Sequence, residues 1–416
     1  MSKVLEQAKK AKDASKILKR ATTEQKNAFL NALADSLVMN SEKILQQNRR
    51  DLGENKDLTT AMRRRLELSA KGLESIAASV RVIAKLPDPV GATISEWIRP
   101  DGLQIKKVRS PIGVLVCIFE SRPNVIVDVA MLCVKSGNVV IMRGGKEITH
   151  SNDILMEIIK ESLEKAGLPI SAVQQLEDRR YEAVCELVQL DKYIDIVIPR
   201  GGEALINNIV KCAKVPVLKH FRGLCHMYID KDADFQKAVD LAVNAKTSNP
   251  ATCNSIETIL IHKDTAGLVL PKLVNELVKR EVEVRGCDKT REIIADENKC
   301  KKATEEDWSK EYLDLIVSVK TVDSYEEAVS HIEKYSSGLT DSIVTENKNI
   351  AQKFLKDIDS ATVLVNASNR LVDGGEFGLG GEIGINTSHI HSRGPMGLED
   401  LTVGKYIVVG EGHIRK

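Results

Sequence analysis

The stretch IGVLVCIF at residues 112–119 decides the architecture, because it is a near-continuous apolar run long enough for one buried strand. Helical stretches separate it from further runs of the same kind, and one of these helices, Thr149–Ala166, ends before Gly167 and Pro169. The further runs lie at residues 138–142, 172–176, 194–198 and 215–218. Buried strands that alternate with amphipathic helices are typical of a parallel sheet covered on both faces, so the pattern predicts a doubly wound α/β domain.

The chain on either side of this core has three further parts. Residues 1–86 have helical periodicity without a convincing strand, and residues 96–108 alternate around a Pro-Asp-Gly turn, which predicts a β-hairpin. A second series of strands and helices follows the helix predicted at residues 233–246, and it indicates a second α/β domain. The last segment, Leu401–Val409, is strand-like, and it either extends a sheet of its own domain or pairs with the sheet of a neighbouring subunit.

Composition argues against several classes of protein. Lys and Arg number 60 and Asp and Glu number 59, so the chain lacks the basic surplus of a nucleic-acid binder, and aromatic residues make up only 4%. No apolar run approaches about 18 residues, and no secretory signal is recognisable, so we expect neither nucleic acid nor membrane as a partner. The eight cysteines form no CxxC pair and mostly lie in apolar runs, which indicates small core residues and a reducing, cytoplasmic location.

One cysteine differs from the others in its surroundings. Cys253 lies in the polar sequence NPATCN at residues 249–254, between a predicted helix and a predicted strand. A partly exposed thiol there suits nucleophilic catalysis, but a nucleophile needs a lowered pKa, which nothing in the loop's composition supplies. The loop alone therefore leaves two interpretations open, a catalytic cysteine and a plain loop cysteine.

Two places at predicted strand ends suit phosphate groups. Gly201 and Gly202 follow the apolar run at residues 194–198 and precede a helix, where unpaired N–H groups and the helix dipole attract anions. Arg143 and Lys146 flank two glycines directly after the apolar run at residues 138–142. Two cations at the end of a strand suit the phosphate of a ribose. A simple strand-to-helix turn and a solvated surface pair are the respective alternatives.

The remaining histidines and glycines are weaker signals. Neither the His389 and His391 pair nor the neighbours Cys225 and His226 have a second pair at a zinc-ligand spacing, so no metal site is expected. The glycine-rich stretch 374–384 lacks the spacing and the βαβ context of a dinucleotide fingerprint. We interpret it as a close turn or as a place where the backbone approaches a substrate.

Three longer motifs are more specific than these local patterns. Residues 110–124 read SPIGVLVCIFESRPN, residues 244–257 read NAKTSNPATCNSIE, and residues 373–384 read DGGEFGLGGEIG, with SRGPMGL at residues 392–398. Together they resemble the gamma-glutamyl phosphate reductase family, a branch of the aldehyde dehydrogenase superfamily, and the resemblance spans nearly the whole chain. It implies an aldehyde dehydrogenase-like α/β fold of two doubly wound domains, with an oligomerisation hairpin and a C-terminal strand.

The resemblance implies an activity and a nucleophile. Members of the family reduce L-glutamyl 5-phosphate with NADPH to L-glutamate 5-semialdehyde and phosphate, the second step of proline biosynthesis from glutamate. The catalytic cysteine of the family corresponds to Cys253, which forms a thioacyl intermediate for reduction by hydride. Asn124 is the candidate for a side-chain donor to the oxyanion. Where acid-producing aldehyde dehydrogenases keep a glutamate that activates water, residues 224–228 read LCHMY, without an acid.

Further residues are expected to bind the cofactor. Arg143 and Lys146 are assigned to the 2′-phosphate of NADPH, Gly201 and Gly202 to its pyrophosphate, and Glu311 to its nicotinamide ribose. The assignment of Glu311 follows from the resemblance alone.

The substrate's own charges also need partners. Arg122 is the candidate for one anionic group of the substrate, and Arg370 or Glu376 for its other charges. These three assignments rest on charge type and, for Arg122 and Glu376, on membership of the motifs. A structural ion pair is the alternative for each.

The domains follow from these assignments. Residues 1–95 and 110–247 are expected to form an NADP-binding domain, residues 248–385 a catalytic domain, and residues 96–109 with 386–416 an oligomerisation hairpin and tail. We expect a homo-oligomer, either a dimer or a tetramer, with a glutamate kinase as a candidate partner. Two other functions stay open: a coenzyme A-dependent acylating aldehyde dehydrogenase, and a nucleotide-binding scaffold without turnover.

Overall fold

The computed structural model of the chain describes residues 2–56, 58, 60–218 and 222–415, without the side chains of residues 60, 61 and 64. The chain forms two compact units. The first comprises Met1–Lys219, Gly378–Gly384 and Met396–Lys416, and the second comprises His220–Phe377 and Ile385–Pro395. Among the described residues, no helix has both the length and the apolar character needed to span a bilayer.

Five helices precede the first strand of the first unit. They are α1 (Lys3–Leu18), α2 (Thr23–Met39), α3 (Ser41–Glu54), α4 (Thr60–Leu66) and α5 (Ala70–Lys85). A capping box starts α2, because the Thr22 side chain accepts the Gln25 N–H and the Gln25 side chain accepts the Thr22 N–H. Within α2, Lys26 is buried and pairs with Asp88, with Nζ 2.8 Å from Oδ2. This helical layer therefore contains a buried lysine that is paired with a half-buried aspartate just after α5.

A four-stranded parallel sheet forms the centre of the first unit. The elements of this part are β1 (Thr93–Ile98), β2 (Gln104–Pro111), β3 (Val114–Phe119), α6 (Asn124–Lys135), β4 (Val139–Arg143), α7 (Thr149–Lys165), β5 (Val173–Gln175), α8 (Tyr181–Leu187), β6 (Ile196–Arg200) and α9 (Glu203–Cys212). The sheet order is β5-β4-β3-β6, and β3 is buried along its whole length, as its apolar sequence predicts. The strand predicted at residues 215–218 is wrong. Val217 makes only an isolated bridge to Val197, since the neighbouring Pro216 has no N–H to donate to a ladder.

The cysteines match the expectation of small core residues only in part. Those that are free and buried are Cys117, Cys133, Cys225 and Cys300. By contrast, Cys185 in α8 and Cys212 in α9 are joined by a disulfide, with their Cα atoms 5.5 Å apart. Their spacing along the chain did not predict this bond, because α8 and α9 come together only in the folded unit.

A seven-stranded sheet with parallel neighbours forms the centre of the second unit. Its elements are β7 (Cys225–Ile229), α10 (Phe235–Thr247), β8 (Ile256–His262), α11 (Lys263–Val278), β9 (Glu283–Gly286), α12 (Asp288–Ile294), β10 (Lys301–Lys302), β11 (Ile316–Val322), α13 (Tyr325–Tyr335), β12 (Thr340–Val344), α14 (Lys348–Asp357), β13 (Thr362–Val365), β14 (Ile385–Asn386) and β15 (Gly394–Pro395). The sheet order is β10-β9-β11-β8-β7-β12-β13. The boundary expected at residue 248 differs from the start of this unit at His220, because β7 pairs with both β8 and β12. As a result, β7 and α10 belong to the unit that contains Cys253.

The C-terminal strand β16 (Thr402–Val409) completes the first unit. It pairs antiparallel with β2, which also pairs antiparallel with β1, so the predicted hairpin and the tail form one three-stranded sheet. Residues 401–409 were expected to pair either within their own domain or with a neighbouring subunit. In the structure they pair with β2 of the same chain. Several large apolar side chains of this sheet are exposed, namely Ile94, Trp97, Ile98, Tyr406 and Val408.

Candidate active site

Cys253 lies in the loop between α10 and β8. A turn holds the loop around it, because the Ser255 N–H donates to the Thr252 carbonyl at 3.0 Å. The next residue, Asn254, is buried, and its amide donates to the Val372 carbonyl at 2.9 Å. Cys253 itself is only half-buried. The loop is therefore anchored on one side of a residue that stays partly accessible.

The segment that leads into β7 approaches the backbone of Cys253 closely. A Cβ placed on Gly223 would lie 2.1 Å from the Cys253 carbonyl oxygen and 2.6 Å from its Cα, so no larger residue fits without a backbone shift. The Cys225 thiol donates to the same carbonyl oxygen across 3.2 Å. Burial raises the pKa of the Cys225 thiol well above its usual range. Cys225 is therefore a neutral donor, and Cys253 is the accessible thiol of the two.

The strand beside this loop contains no carboxylate. Residues 224–228 are all buried and read LCHMY. A general base that activates water needs a group of suitable pKa within hydrogen-bond reach, and a carboxylate is the usual choice at this position in acid-producing aldehyde dehydrogenases. Residues 224–228 supply no carboxylate, as expected from the sequence.

Glu311 reaches the same place from a distant part of the second unit. Its Oε1 accepts the Gly223 N–H at 2.8 Å, and Gly223 packs against Cys253. Two predicted site residues are thus connected through a glycine that the sequence analysis missed. No local pattern marks Gly223, since the need for a glycine there arises from a contact with a loop far along the chain. The role of Glu311 at a nicotinamide ribose stays a prediction.

A buried charge pair lies at the base of the loop. Lys246 Nζ is 2.8 Å from Glu257 Oε2, and both side chains are at most 1% exposed. Burial raises the pKa of Glu257 to about 7 and lowers that of Lys246, while the opposite charge of the partner counteracts each shift. Glu257 Oε1 also accepts the Leu313 N–H at 3.2 Å. Both charged residues lie within the motif at residues 244–257, yet the sequence analysis gave them no role.

Arg370 contacts the loop on both sides of Cys253. Its Nε donates to Ser248 Oγ at 3.2 Å, and its Nη1 donates to Asn254 Oδ1. The residue is half-buried, whereas Glu376, another candidate for the substrate's charges, is exposed. The structure thus brings Arg370 to the loop that contains the candidate nucleophile, and the substrate-binding roles of both residues stay predictions.

Arg122 and Asn124 belong to the first unit, where Asn124 begins α6. The Asn124 amide donates to Asp128 Oδ2 at 2.9 Å. Burial raises the pKa of Asp128 to about 6, against the effects of that hydrogen bond and of the charges on Arg200 and Arg122. One amide hydrogen of Asn124 is therefore engaged by Asp128, and the predicted bond to an oxyanion has to use the other.

Four of the five predicted cofactor residues lie at or just after the carboxyl ends of strands in the first unit. Arg143 is half-buried at the end of β4, and Lys146 is exposed after two glycines, so both cations suit an anionic group. Gly202 caps α9, but its N–H donates to Glu120 Oε2 at 3.2 Å. A Cβ on Gly201 would lie 2.7 Å from the carboxyl carbon of Glu120. A pyrophosphate at these N–H groups therefore has to displace Glu120, an acid that directly follows β3 and that the sequence analysis missed.

The histidines considered as metal ligands have carboxylates as neighbours. His226 is fully buried with Nδ1 3.2 Å from Asp341 Oδ1, and His389 Nε2 lies 3.6 Å from Asp359 Oδ2. In the part of the chain that the structure describes, no three His, Cys, Asp or Glu side chains are grouped as ligands of a metal ion.

Comparison with known proteins places this site in a family context. The family model described as aldehyde dehydrogenase family matches residues 1–305 and 302–407. The gamma-glutamyl phosphate reductase of Caldanaerobacter subterraneus subsp. tengcongensis is 48% identical over 98% of this chain and 99% of its own length. That of Halothermothrix orenii is 48% identical, with 99% of each chain covered.

Solved structures agree with this relationship. The crystal structure of gamma-glutamyl phosphate reductase from Thermotoga maritima covers 100% of both chains, with a TM-score of 0.95 and 44% identity. An acetylating aldehyde dehydrogenase from Geobacillus thermoglucosidasius covers 99% of this chain and 97% of its own, with a TM-score of 0.71 at 17% identity, which is a likeness of fold alone. The aldehyde dehydrogenase-like α/β fold predicted from the sequence is thereby confirmed. Aldehyde dehydrogenases of the acylating kind are only distantly related to this chain.

Proposed function

Because the chain belongs to the gamma-glutamyl phosphate reductase family of aldehyde dehydrogenases, we propose that it reduces L-glutamyl 5-phosphate with NADPH. The products are L-glutamate 5-semialdehyde and phosphate, and the reaction is a step of proline biosynthesis. The observation that carries this proposal is Cys253, a half-buried thiol in a loop whose neighbouring strand has no carboxylate.

Cys253 is the nucleophile of the proposed reaction. Its thiolate attacks the acyl carbon, an S–C bond forms and the C–O bond to phosphate breaks, which leaves a glutamyl thioester on the sulfur. The Cys253 N–H donates to the oxyanion, and Asn124 is proposed as the side-chain donor. NADPH, when bound, supplies the hydride that reduces this thioester. The thiohemiacetal on Cys253 then gives up its hydroxyl proton and releases the aldehyde, which restores the thiolate.

The composition of β7 protects the thioester from hydrolysis. A positioned general base typically accelerates a reaction by about 10²–10⁴-fold. Residues 224–228 provide no carboxylate for this purpose, and the His226 imidazole is fully buried beside Asp341. Attack by water therefore lacks that acceleration, and reduction consumes the thioester.

The residues proposed for the substrate's charged groups are Arg370, Arg122 and Glu376. The contacts of Arg370 with Ser248 and Asn254 support its part, because they hold a guanidinium next to the nucleophile's loop. Arg122 is proposed to bind a second anionic group, and Glu376 the ammonium group.

The proposal for the cofactor is NADPH, with its 2′-phosphate at Arg143 and Lys146, its pyrophosphate at Gly201 and Gly202, and its nicotinamide ribose at Glu311. The two cations at the end of β4 support the choice of NADPH over NADH. They attract the 2′-phosphate of NADPH, whereas NADH has an uncharged 2′-hydroxyl in its place. The carboxylate of Glu120 at Gly202 opposes the pyrophosphate and has to move aside when the cofactor binds.

A charge reversal at Lys146 tests this choice of cofactor. We expect Lys146→Glu to raise the KM for NADPH about tenfold and to change the KM for NADH less than about twofold, because only NADPH loses a charge-assisted contact. Lys160→Glu is a matched control, since Lys160 is an exposed lysine of α7 and the change in net charge is the same. Equal increases for both cofactors would remove the argument for the 2′-phosphate.

The chain is also proposed to form a dimer or a tetramer through the three-stranded sheet of β1, β2 and β16. The exposed Trp97, Ile98 and Tyr406 support this proposal, because apolar side chains of this size are enriched in interfaces between subunits. A glutamate kinase that delivers the acyl phosphate is proposed as a partner.

The reverse reaction tests the function as a whole. We expect the purified chain to oxidise glutamate 5-semialdehyde with NADP only when inorganic phosphate is present, because phosphate is the group that releases the acyl chain from Cys253. Activity with coenzyme A in place of phosphate would identify an acylating aldehyde dehydrogenase instead. Absence of turnover with either acceptor would support a nucleotide-binding scaffold without turnover.

A further inference from the structure

The loop that contains Cys253 is closed at its base by two charged residues. Lys246 lies in the last turn of α10 and Glu257 near the start of β8, so residues 247–256 run between them. The side chains meet with Nζ 2.8 Å from Oε2, at 0% and 1% exposure. The two ends of the loop are therefore joined by a bond that does not involve Cys253 itself.

A charge pair in this position is not explained by stability alone. Removal of two charges from water costs more than their attraction returns in many proteins, and two apolar side chains of similar volume often stabilise a fold as well or better. A buried pair instead restricts geometry, because each charge has to find its partner in one arrangement. Because Lys246 and Glu257 lie at the two ends of the loop that contains Cys253, the loop is the part whose geometry the pair restricts.

The second oxygen of Glu257 extends the connection to the Glu311 segment. Glu257 Oε1 accepts the N–H of Leu313, a residue in the left-handed region at a φ of 53°, which a leucine adopts only when its surroundings hold it there. Two residues earlier, Glu311 accepts the Gly223 N–H, and Gly223 lies against the Cys253 carbonyl. The loop of Cys253 and the segment at residues 311–313 are therefore connected at two places, directly through Glu257 and indirectly through Gly223.

We propose that Lys246 and Glu257 are positioning residues that fix the loop of Cys253 relative to the Glu311 segment. Lys246 and Glu257 close the loop, and Glu257 ties the turn at Leu313 to it. Neither residue touches the substrate in this proposal. The inference rests on the proposed function, because it deepens the description of the same site.

Two variants separate closure of the loop from the tie to Leu313. Glu257→Gln keeps the size of the side chain and an oxygen for the Leu313 N–H, but it removes the charge that pairs with Lys246. The double variant K246M/E257L removes both the pair and the acceptor and leaves no unpaired buried charge. We expect Glu257→Gln to lower kcat with little change in the KM for NADPH, and K246M/E257L to lower kcat by about 100-fold and to raise that KM about tenfold.

A charge pair outside the site, with a buried lysine and a half-buried aspartate, serves as the control. K26M/D88N removes the Lys26–Asp88 pair of the first unit. We expect it to lower the midpoint of thermal unfolding and to leave kcat and KM within about twofold of the parent chain. If K246M/E257L folds cooperatively and likewise changes only the unfolding midpoint, the pair is merely structural and the proposal is overturned.

Alkylation of Cys253 by iodoacetamide gives a readout that needs no turnover. Its rate is measured from pH 6 to pH 10, and peptide mass identifies Cys253 as the modified residue. We expect Glu257→Gln to change the rate at least about fivefold at some pH, because the loop no longer holds the thiol in one place. An unchanged profile in Glu257→Gln, with unchanged kinetics, would overturn the proposal even if the double variant does not fold. A parent chain without reductase activity would contradict the proposed function, whereas the alkylation profiles would still decide the positioning role.

Discussion

Cys253→Ser is expected to lose at least about three orders of magnitude in turnover, because a serine hydroxyl ionises far less readily than a thiol and is a poor nucleophile without a base. β7 supplies no carboxylate as such a base, and its one imidazole, that of His226, is fully buried beside Asp341. The affinity for NADPH should stay within about twofold, since the substitution exchanges one atom and leaves the loop's hydrogen bonds intact. Steady-state rates of NADP reduction with glutamate 5-semialdehyde and phosphate measure the loss, and fluorescence titration measures the affinity.

A second cysteine provides the control for this experiment. Cys287 is also free and half-buried in the second unit, but its thiol lies 3.3 Å from Thr290 Oγ1, away from the loop of Cys253. Cys287→Ser should keep full turnover. If Cys253→Ser retained turnover within about tenfold of the parent, Cys253 would not be the nucleophile.

Gly223→Ala is expected to reduce turnover by about 100-fold, although the change adds a single methyl group. The new Cβ would lie 2.1 Å from the Cys253 carbonyl oxygen and 2.6 Å from its carbonyl carbon. Backbone atoms cannot turn aside as the end of a long side chain can, so the loop has to shift. Overpacking of this kind typically costs about 1–3 kcal/mol of stability, which a folded chain can tolerate while the nucleophile is displaced.

Another glycine of the same unit gives the matched control. Gly267 lies inside α11, and an added Cβ there would meet nothing within 4 Å. Gly267→Ala should keep full turnover and gain about 0.5–1 kcal/mol in the free energy of unfolding, because alanine is the better helix former. Turnover, the midpoint of urea unfolding and the rate of alkylation of Cys253 should be measured for both variants. Normal turnover and alkylation in Gly223→Ala would mean that the close contact does not exist in solution.

Local sequence patterns were sufficient for most of the fold. The continuous apolar sequence of β3 predicted a strand buried on both faces, and a parallel sheet follows from the alternation of such strands with helices. The position of β7 could not be predicted in the same way, because its place between β8 and β12 depends on pairings with strands that follow it in the chain. For that reason the boundary expected at residue 248 cut through the second unit.

The candidate site was predictable only where one residue differs from its neighbours. Cys253 stood out because its loop is polar, and Arg370 because it is a charged residue just before the motif at residues 373–384. Gly223 could not be found, since its importance comes from a contact with the Cys253 carbonyl. Lys246 and Glu257 were visible as two charges, but ordinary surface residues look the same, and only their burial distinguishes them.

The Cys185–Cys212 disulfide and the contact of Glu120 with Gly202 both join elements that are distant in sequence. Cys185 and Cys212 meet because α8 and α9 are adjacent in the folded unit, which their separation along the chain does not reveal. Glu120 reaches the N–H of Gly202 because β3 and β6 are neighbours in the sheet. Contacts between elements that are distant in sequence require the topology before they can be predicted.

The glutamyl thioester on Cys253 is the central claim of this account, and peptide mass spectrometry tests it most directly. The chain is mixed with glutamate 5-semialdehyde and NADP without phosphate, quenched in acid within one turnover and digested. We predict that the peptide containing Cys253 gains the mass of one glutamyl group, and that phosphate added before the quench removes it. A glutamyl group on another side chain, or its absence from every peptide while NADPH is formed, would contradict the account.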